Sequence, residues 1–289
     1  MRLLTDIHHK RWWTIALFVS SIVCFAGMAL RWHSLQQRNV DPALRAFERH
    51  VYRDKLGPPL PYRLLRPAGS NPHHRYPLIL FLHGLDTRGE DNTAQVLGLG
   101  RFFLDETFHP RYACFVVVPQ CPVADRWAHA DHYFELGQYR LLPDPGPTMR
   151  QTLALLEALP ARYAIDPDRV YVIGYSMGGV GVWDAICREP ERFAAAVPFC
   201  GRADLTQASR LTTLPLWVFH GALDDNIEVA WSRNMVAAIR KAGGHPRYTE
   251  APQAGHDCWS KALADPSLFT WLFAQSRRQR QGNHLIIEQ

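Results

Sequence analysis

Short apolar runs recur along the chain and alternate with segments whose apolar residues have helical spacing. The apolar runs are continuous, and the run at 170–173 is rich in β-branched residues, which predicts strands buried on both faces. They lie at residues 78–82, 113–118, 170–173, 194–199 and 216–219. Helical spacing is found at residues 91–108, 149–163, 180–187 and 229–242. This alternation predicts one α/β domain, with a doubly wound, mostly parallel sheet and helices on both faces.

The weaker patterns complete this prediction. Residues 62–65 are typical of a short edge strand, and residues 247–251 of the final strand. Residues 123–147 form a loop that is long for a βα connection, which favours a lid or binding loop. Residues 39–58 are polar and proline-bounded, so we predict a linker or N-terminal arm. The folded domain would then occupy residues 59–278, followed by a polar tail at 279–289.

Residues 12–30 are the apolar segment of the N-terminus, without a charged residue and preceded by Lys10 and Arg11. As a helix this segment would be about 28 Å long, close to the hydrocarbon thickness of a bilayer. Basic residues before it favour an N-terminus left inside. We therefore predict that residues 1–38 anchor the protein in a membrane by one helix, with the folded domain on the periplasmic or extracellular side. Signal-peptide cleavage after Ala29, which yields a secreted protein, is the alternative.

The distribution of charge along the chain indicates which classes of partner the protein can bind. The net charge is +5, but the basic excess lies in residues 1–38 and 277–289, and the domain between them is close to neutral. A nucleic-acid partner would require a basic face on the folded domain. We therefore predict no nucleic-acid partner, while the oligomeric state stays open.

Candidate chemistry begins where the strand at 170–173 ends. Gly174-Tyr175-Ser176-Met177-Gly178 fits G-x-S-x-G, the nucleophile elbow. Glycine on both sides permits the tight strand-to-helix turn that exposes the serine hydroxyl. The helix that follows directs its positive end toward a developing oxyanion. The pattern predicts that Ser176 is a nucleophile.

An oxyanion requires two backbone N–H donors, one after the nucleophile and one from the loop after the third strand. Met177 supplies the first, and we predict Leu85, directly after His83-Gly84, as the second. His83 is interpreted as a structural residue of that loop. Trp127, in the long loop, and Tyr175, in the elbow, are predicted to contact substrate.

A serine hydroxyl needs an imidazole to take its proton and a carboxylate to orient that imidazole. In the elbow architecture both partners follow the serine in the chain. Asp224 follows the strand at 216–219, and His256 lies in a glycine-bearing loop after the last strand. Asp225 is the alternative acid, although capping of the next helix explains it better.

The other candidates are interpreted differently. His220 ends a strand beside glycine and is interpreted as structural, His245 lies at the entrance of the last strand, and His284 lies in the tail. Residues 129–132 are better explained as a solvated loop than as a metal site. We therefore predict no metal or organic cofactor. Cys24 lies in the apolar segment. The spacing selects no disulfide among the remaining cysteines, which are Cys114, Cys121, Cys187, Cys200 and Cys258.

Several motifs, in this order along the chain, also resemble those of a known protein family. They are FLHGL at 81–85, RGEDN at 88–92, PQCP at 119–122, GYSMGG at 174–179, FHGAxD at 219–224 and GHDxW at 255–259. Residues from about 60 to 278 resemble α/β-hydrolases of the phospholipase/carboxylesterase and dienelactone-hydrolase-like group, often labelled putative esterases or predicted peptidases. The resemblance implies Ser176 as nucleophile, Asp224 and His256 as its relay, and Leu85 with Met177 as oxyanion donors. Dienelactone hydrolases proper use cysteine as nucleophile, unlike the serine of this chain.

Together, these patterns predict a carboxylesterase-type serine hydrolase that cleaves small-molecule or polymer-linked esters through an acyl-enzyme. A serine peptidase or amidase of the same fold is the first alternative. A membrane-tethered binding protein without catalysis is the second.

Overall fold

The computed structural model describes residues 41–280 except 56, 72, 106–107, 109–110 and 134–137. The chain divides into two compact units, residues 1–45 and 46–289. No helix among the described residues is long and apolar enough to cross a membrane. The predicted anchor at residues 12–30 lies outside those residues, as do Cys24 and His284.

Eight strands form one sheet in the order β1-β2-β4-β3-β7-β8-β9-β10. They are β1 (Glu48–Tyr52), β2 (Leu60–Leu65), β3 (Tyr76–Leu82), β4 (Phe115–Pro119), β7 (Ile165–Tyr175), β8 (Ala195–Phe199), β9 (Trp217–Gly221) and β10 (Arg247–Ala251). The first two pairings, β1 with β2 and β2 with β4, are antiparallel. All later pairings are parallel, which confirms the predicted mostly parallel sheet.

A second, two-stranded antiparallel sheet pairs β5 (Ala130–Tyr133) with β6 (Gln138–Leu141). It lies within the segment predicted as a long loop, which is therefore partly a hairpin.

Helices alternate with the strands, and those at Pro147–Ala158, Met177–Arg188 and Ala230–Lys241 lie where the periodicity predicts helices. The helices are α1 (Pro42–Ala46), α2 (Ala94–Leu97), α3 (Pro147–Ala158), α4 (Met177–Arg188), α5 (Ala230–Lys241), α6 (Trp259–Ala264) and α7 (Pro266–Phe273). The apolar strands β3, β4 and β8 are buried almost throughout, as expected of strands covered on both faces. Helix α4 begins directly where β7 ends, so Ser176 lies between the two elements.

Two predicted segments differ from the structure. Residues 48–52, predicted as linker or arm, form the edge strand β1, whose alternate positions are exposed; β2 is therefore not the edge. Residues 91–108, predicted as one helix, contain in their described part the short α2 and a 3₁₀ helix at Leu99–Leu104 instead. The break falls at Gly98, whose ψ of −133° lies outside the helical region and ends α2, and glycine is a poor helix former.

Candidate active site

Three side chains from distant parts of the chain meet at the carboxyl ends of the parallel strands. Nε2 of His256 lies 2.8 Å from Oγ of Ser176, and Nδ1 lies 2.8 Å from Oδ2 of Asp224. With the proton on Nδ1, the ring donates to the carboxylate and accepts from the serine hydroxyl. This is the hydrogen-bonded order in which an imidazole can take a proton from Ser176.

The backbone at Ser176 is held in an uncommon conformation. Its φ of 56° and ψ of −121° lie outside the regions that non-glycine residues ordinarily adopt, and such strain is typical of functional turns. The Ser176 amide donates to the carbonyl of Phe199 at the end of β8 (3.0 Å). The turn thereby fixes the hydroxyl at the sheet edge and leaves the residue partly exposed.

Close backbone contacts explain the glycines of the elbow. A Cβ on Gly178 would lie 1.9 Å from the carbonyl oxygen of Leu82, and a Cβ on Gly174 would lie 2.4 Å from that of Gly178. Because real Cβ atoms do not approach backbone oxygens this closely, both positions must lack a side chain. The absence of these side chains lets α4 begin directly against the end of β3.

The orientation of Asp224 is fixed by its second carboxylate oxygen. Oδ1 accepts hydrogen bonds from the amides of Asn226 and Ile227, both at 2.9 Å. Burial raises the pKa of Asp224, but the Ile227 amide and the hydrogen bond from His256 outweigh it, so the pKa lies below its usual value. Asp224 is therefore an ionised, immobilised acceptor for His256.

Asp225, the alternative acid, is exposed. The structure brings Asp224, not Asp225, to the imidazole. The capping role predicted for Asp225 is also wrong, because the first turn of α5 has no side-chain cap.

Two buried histidines next to the site have structural partners. His83 Nδ1 donates to the carbonyl of Gly84 (2.7 Å), and its Nε2 accepts from the amide of Cys121 (3.0 Å). Burial lowers the pKa of His83 to about 4, so the ring is neutral near pH 7. His220 lies between the Ser232 hydroxyl and the Ile227 carbonyl, both at 2.7 Å, and burial lowers its pKa as well. Both rings brace loops at the sheet edge, as predicted.

The predicted oxyanion donors begin two neighbouring helices. Met177 is the first residue of α4, and Leu85 is the first residue of a 3₁₀ helix, Leu85–Thr87. First-turn amides have no partner within their own helix. Among the described residues, neither amide donates to another protein group. Both amides are therefore without a protein partner, as their predicted role in binding an oxyanion requires.

The chain is similar to known proteins in sequence and in fold. The model of the prolyl oligopeptidase family (Peptidase S9) matches residues 145–218, which include the elbow but neither Asp224 nor His256. A solved thermostable esterase matches with a TM-score of 0.73 and 34% sequence identity, over 81% of this chain and 64% of that chain. The predicted resemblance to α/β-hydrolase esterases is confirmed.

Two more distant matches agree with this fold. A solved ferulic acid esterase matches with a TM-score of 0.58 and 18% identity, over 77% of this chain and 96% of that chain; at this identity it supports the fold alone. A curated Arthroderma benhamiae protein named "Uncharacterized secreted protein" is 25% identical over 122 residues, which are 32% of this chain and 13% of that protein. The chain thus spans 64% of the thermostable esterase and a small part of the curated relative.

Two aromatic residues predicted to contact substrate lie beneath the surface in this α/β-hydrolase-like site. Trp127 is fully buried, and its indole N–H donates to the carbonyl of His83 (2.9 Å). Tyr175 is only 6% exposed, and a Cβ on Gly84 would lie 2.6 Å from its ring. The structure therefore places both rings as supports of the His83–Leu85 loop instead of walls of a substrate surface.

The structure identifies apolar side chains at the site that were not predicted to contact substrate. Trp259, the first residue of α6, is half-buried, with its ring edge-on to His256 at a centroid distance of 5.3 Å. Leu223 and Leu85, on the loops that carry Asp224 and the predicted oxyanion donor, are 65% and 45% exposed. The sequence signal was that all three residues lie within the FLHGL, FHGAxD and GHDxW motifs. These side chains give the site an apolar margin.

One group of potential metal ligands lies behind the site: Cys200, His220 and Asp224. Its donor atoms already have protein partners, since both His220 nitrogens are hydrogen-bonded, Asp224 accepts from His256, and the Cys200 sulfur contacts that of Cys258. Among the described residues this group therefore has no vacant set of ligands. In the loop at residues 129–132, the His129 ring donates to the carbonyl of Asp144 (2.9 Å).

Proposed function

We propose that this protein is a serine hydrolase that cleaves carboxylic esters through an acyl-enzyme. The observation that carries the proposal is the position of His256, within hydrogen-bond distance of Ser176 on one side and Asp224 on the other. This geometry satisfies the requirement for an activated nucleophile: a base in contact with the hydroxyl and a third group that orients the base. The confirmed resemblance to esterases supports the same reaction class.

In the proposed reaction, Ser176 Oγ attacks the ester carbonyl carbon while His256 Nε2 takes the hydroxyl proton. The carbonyl oxygen becomes an oxyanion, which accepts hydrogen bonds from the amides of Leu85 and Met177. Collapse of the intermediate breaks the bond to the alcohol, which receives the proton from His256. Water then attacks the acyl-serine by the same route, releasing the acid and restoring Ser176.

A peptidase or amidase is the second candidate, because residues 145–218 match the prolyl oligopeptidase family. The same three side chains can cleave an amide if His256 protonates the leaving amine. A comparison of kcat/KM for short p-nitrophenyl esters with matched aminoacyl p-nitroanilides separates the two. Ester preference supports the first proposal, and amide preference supports the second.

The decisive experiment is Ser176→Ala in the full chain in detergent. Turnover of a p-nitrophenyl ester should fall by about 10⁴-fold to 10⁶-fold, the scale seen when a triad nucleophile is removed. Exposed Ser209 provides a matched control, Ser209→Ala, with unchanged turnover expected. Wild-type activity in Ser176→Ala would exclude this mechanism. A fluorophosphonate probe should label wild type but not Ser176→Ala, and folded wild type that stays unlabelled would favour a non-catalytic binding protein.

The site of action is proposed from the sequence alone. An anchor in residues 1–38 would leave the hydrolase domain tethered on the periplasmic or extracellular side, and a cleaved segment would release it. Mass spectrometry of the mature N-terminus after expression in an exporting host separates the anchored form from the secreted one.

A further inference from the structure

Two buried cysteines meet directly behind the proposed catalytic residues. Cys200 follows β8, and Cys258 immediately precedes α6. They are far apart in the sequence, yet their sulfur atoms lie 2.6 Å apart, and the two residues are 0% and 4% exposed. We propose that Cys200 and Cys258 form a disulfide bond that tethers the loop carrying His256 to the end of β8.

The surroundings of the pair favour a structural bond over a reactive thiol. The hydrogen bond with Cys258, followed by burial, raises the pKa of Cys200. A thiol whose pKa is raised is a weak nucleophile and a weak metal ligand. The other described cysteines, Cys114, Cys121 and Cys187, are also buried, but no contact pairs them with a second sulfur. Juxtaposition therefore selects one pair among the five cysteines that the spacing left open.

The position of the bond connects it to His256. The loop is held on its N-terminal side, where the Leu223 amide donates to the carbonyl of Ala254 (3.0 Å). Beyond His256, Asp257 is exposed, and Cys258 is the next buried side chain. A covalent bond at Cys258 would hold the C-terminal side of the same turn, so that the imidazole is fixed from both directions. Cys200 and Cys258 are therefore positioning residues that act through His256.

The chemistry of the bond requires an oxidant, and we assign this role to an external disulfide, R–S–S–R, acting while the chain folds and the thiols are accessible. One cysteine thiolate attacks the external disulfide, forming a mixed disulfide and releasing one RS⁻. The second cysteine thiolate attacks the protein sulfur of the mixed disulfide, which forms the Cys200–Cys258 bond and releases the second RS⁻. Two electrons pass to the oxidant, and the two cysteine protons reappear on the two released RSH molecules. An exported domain, as predicted here, would meet such oxidants.

The first test is independent of enzymatic activity. The full chain is refolded in detergent with oxidised and reduced glutathione, unfolded, and alkylated without reductant. We expect two fewer alkylated cysteines than the six in the sequence, and a protease digest that contains a peptide joining residue 200 to residue 258. Alkylation of all six cysteines, or a cross-link between other cysteines, would overturn the proposal. Because this measurement needs no substrate, it separates failure of the disulfide from failure of the proposed hydrolase.

The second test measures the positioning role, which rests on the proposed function. Complete reduction should lower kcat on a p-nitrophenyl ester with little change in KM, by up to about 100-fold, the effect of a displacement of about 1 Å. Cys258→Ala should have the same low kcat and no further response to reductant. Cys187→Ala, which removes another buried thiol, should keep the response. If complete reduction of the cross-linked protein leaves kcat unchanged, the positioning role is wrong.

Discussion

Replacing Asp224 by asparagine tests how the carboxylate controls the proton on His256. The two backbone amides that meet Oδ1 at 2.9 Å can only donate. The side-chain oxygen of an asparagine must therefore face them, and its NH₂ group must take the place of Oδ2. There it faces Nδ1 of His256 at 2.8 Å, where it can only donate.

The consequence is a change of tautomer. With a donor opposite Nδ1, the imidazole keeps its proton on Nε2, which lies 2.8 Å from Ser176 Oγ. An Nε2–H cannot accept the serine proton, so the base is lost although every atom stays close to its position. Equivalent changes in other triads lower kcat by about 10⁴-fold, which corresponds to about 5 kcal/mol of transition-state stabilisation. Stability should change less, by about 1 kcal/mol, because the two amides keep an acceptor.

The assay is the steady-state rate of p-nitrophenyl ester hydrolysis near pH 7.5, together with the rate of fluorophosphonate labelling. Asp225→Asn is the matched control, because it makes the same chemical change at the adjacent, exposed carboxylate. We expect near wild-type rates for Asp225→Asn and a large loss of rate for Asp224→Asn, with only a small shift of its thermal transition. If folded Asp224→Asn retains a substantial fraction of wild-type turnover, or if both variants lose equal activity, the tautomer argument is wrong.

Two further predictions concern the support of the site. Gly178→Ala should lower both thermal stability and kcat, because its Cβ would lie 1.9 Å from the carbonyl oxygen of Leu82 and force α4 away from β3. Gly146→Ala, whose nearest contact would be 3.4 Å, should be tolerated. Equal melting temperatures of the two variants by circular dichroism would contradict this prediction. The neutral His83 makes stability acid-sensitive. Its folded pKa of about 4 lies below the ordinary histidine value of 6.5, so the unfolded chain binds more protons between these pH values. The contribution of His83 to stability is therefore complete above pH 6.5 and is lost as pH falls. Measured by urea unfolding, the free energy of unfolding should fall by about 2 kcal/mol by pH 5. This loss should be smaller in His83→Gln and the same as in wild type in His245→Gln. Identical pH profiles for all three proteins would contradict the role of His83.

The local sequence was sufficient to predict much of this protein. Continuous apolar runs predicted strands such as β3 and β8, because parallel strands covered on both faces need apolar side chains at every position. The elbow glycines predicted the turn at Ser176, because only residues without a side chain allow that backbone approach. Chain order then placed Asp224 and His256 after the serine, and the structure brings these side chains together at the sheet edge.

Other features depended on neighbours distant in sequence. Trp127 lies in a loop of polar composition, which predicted a surface position for it. Its side chain instead packs beside Gly181, where a Cβ would lie 2.4 Å from Trp127. The strand β1 has little apolar character, since an edge strand covered by one neighbour does not need it.

The sequence could not predict which cysteines pair, because this also depends on neighbours distant in the chain. Sequence and composition determined the buried parallel strands, the helices at 147–158, 177–188 and 230–241, and the chemical types available at the ends of strands, because these depend on local backbone preference and hydrophobic periodicity. Only the tertiary structure decided that Cys200 faces Cys258, that Asp224 rather than Asp225 meets His256, and that Tyr175 lies under a loop. Each of these depends on distances between segments that the chain brings together only when the sheet is assembled.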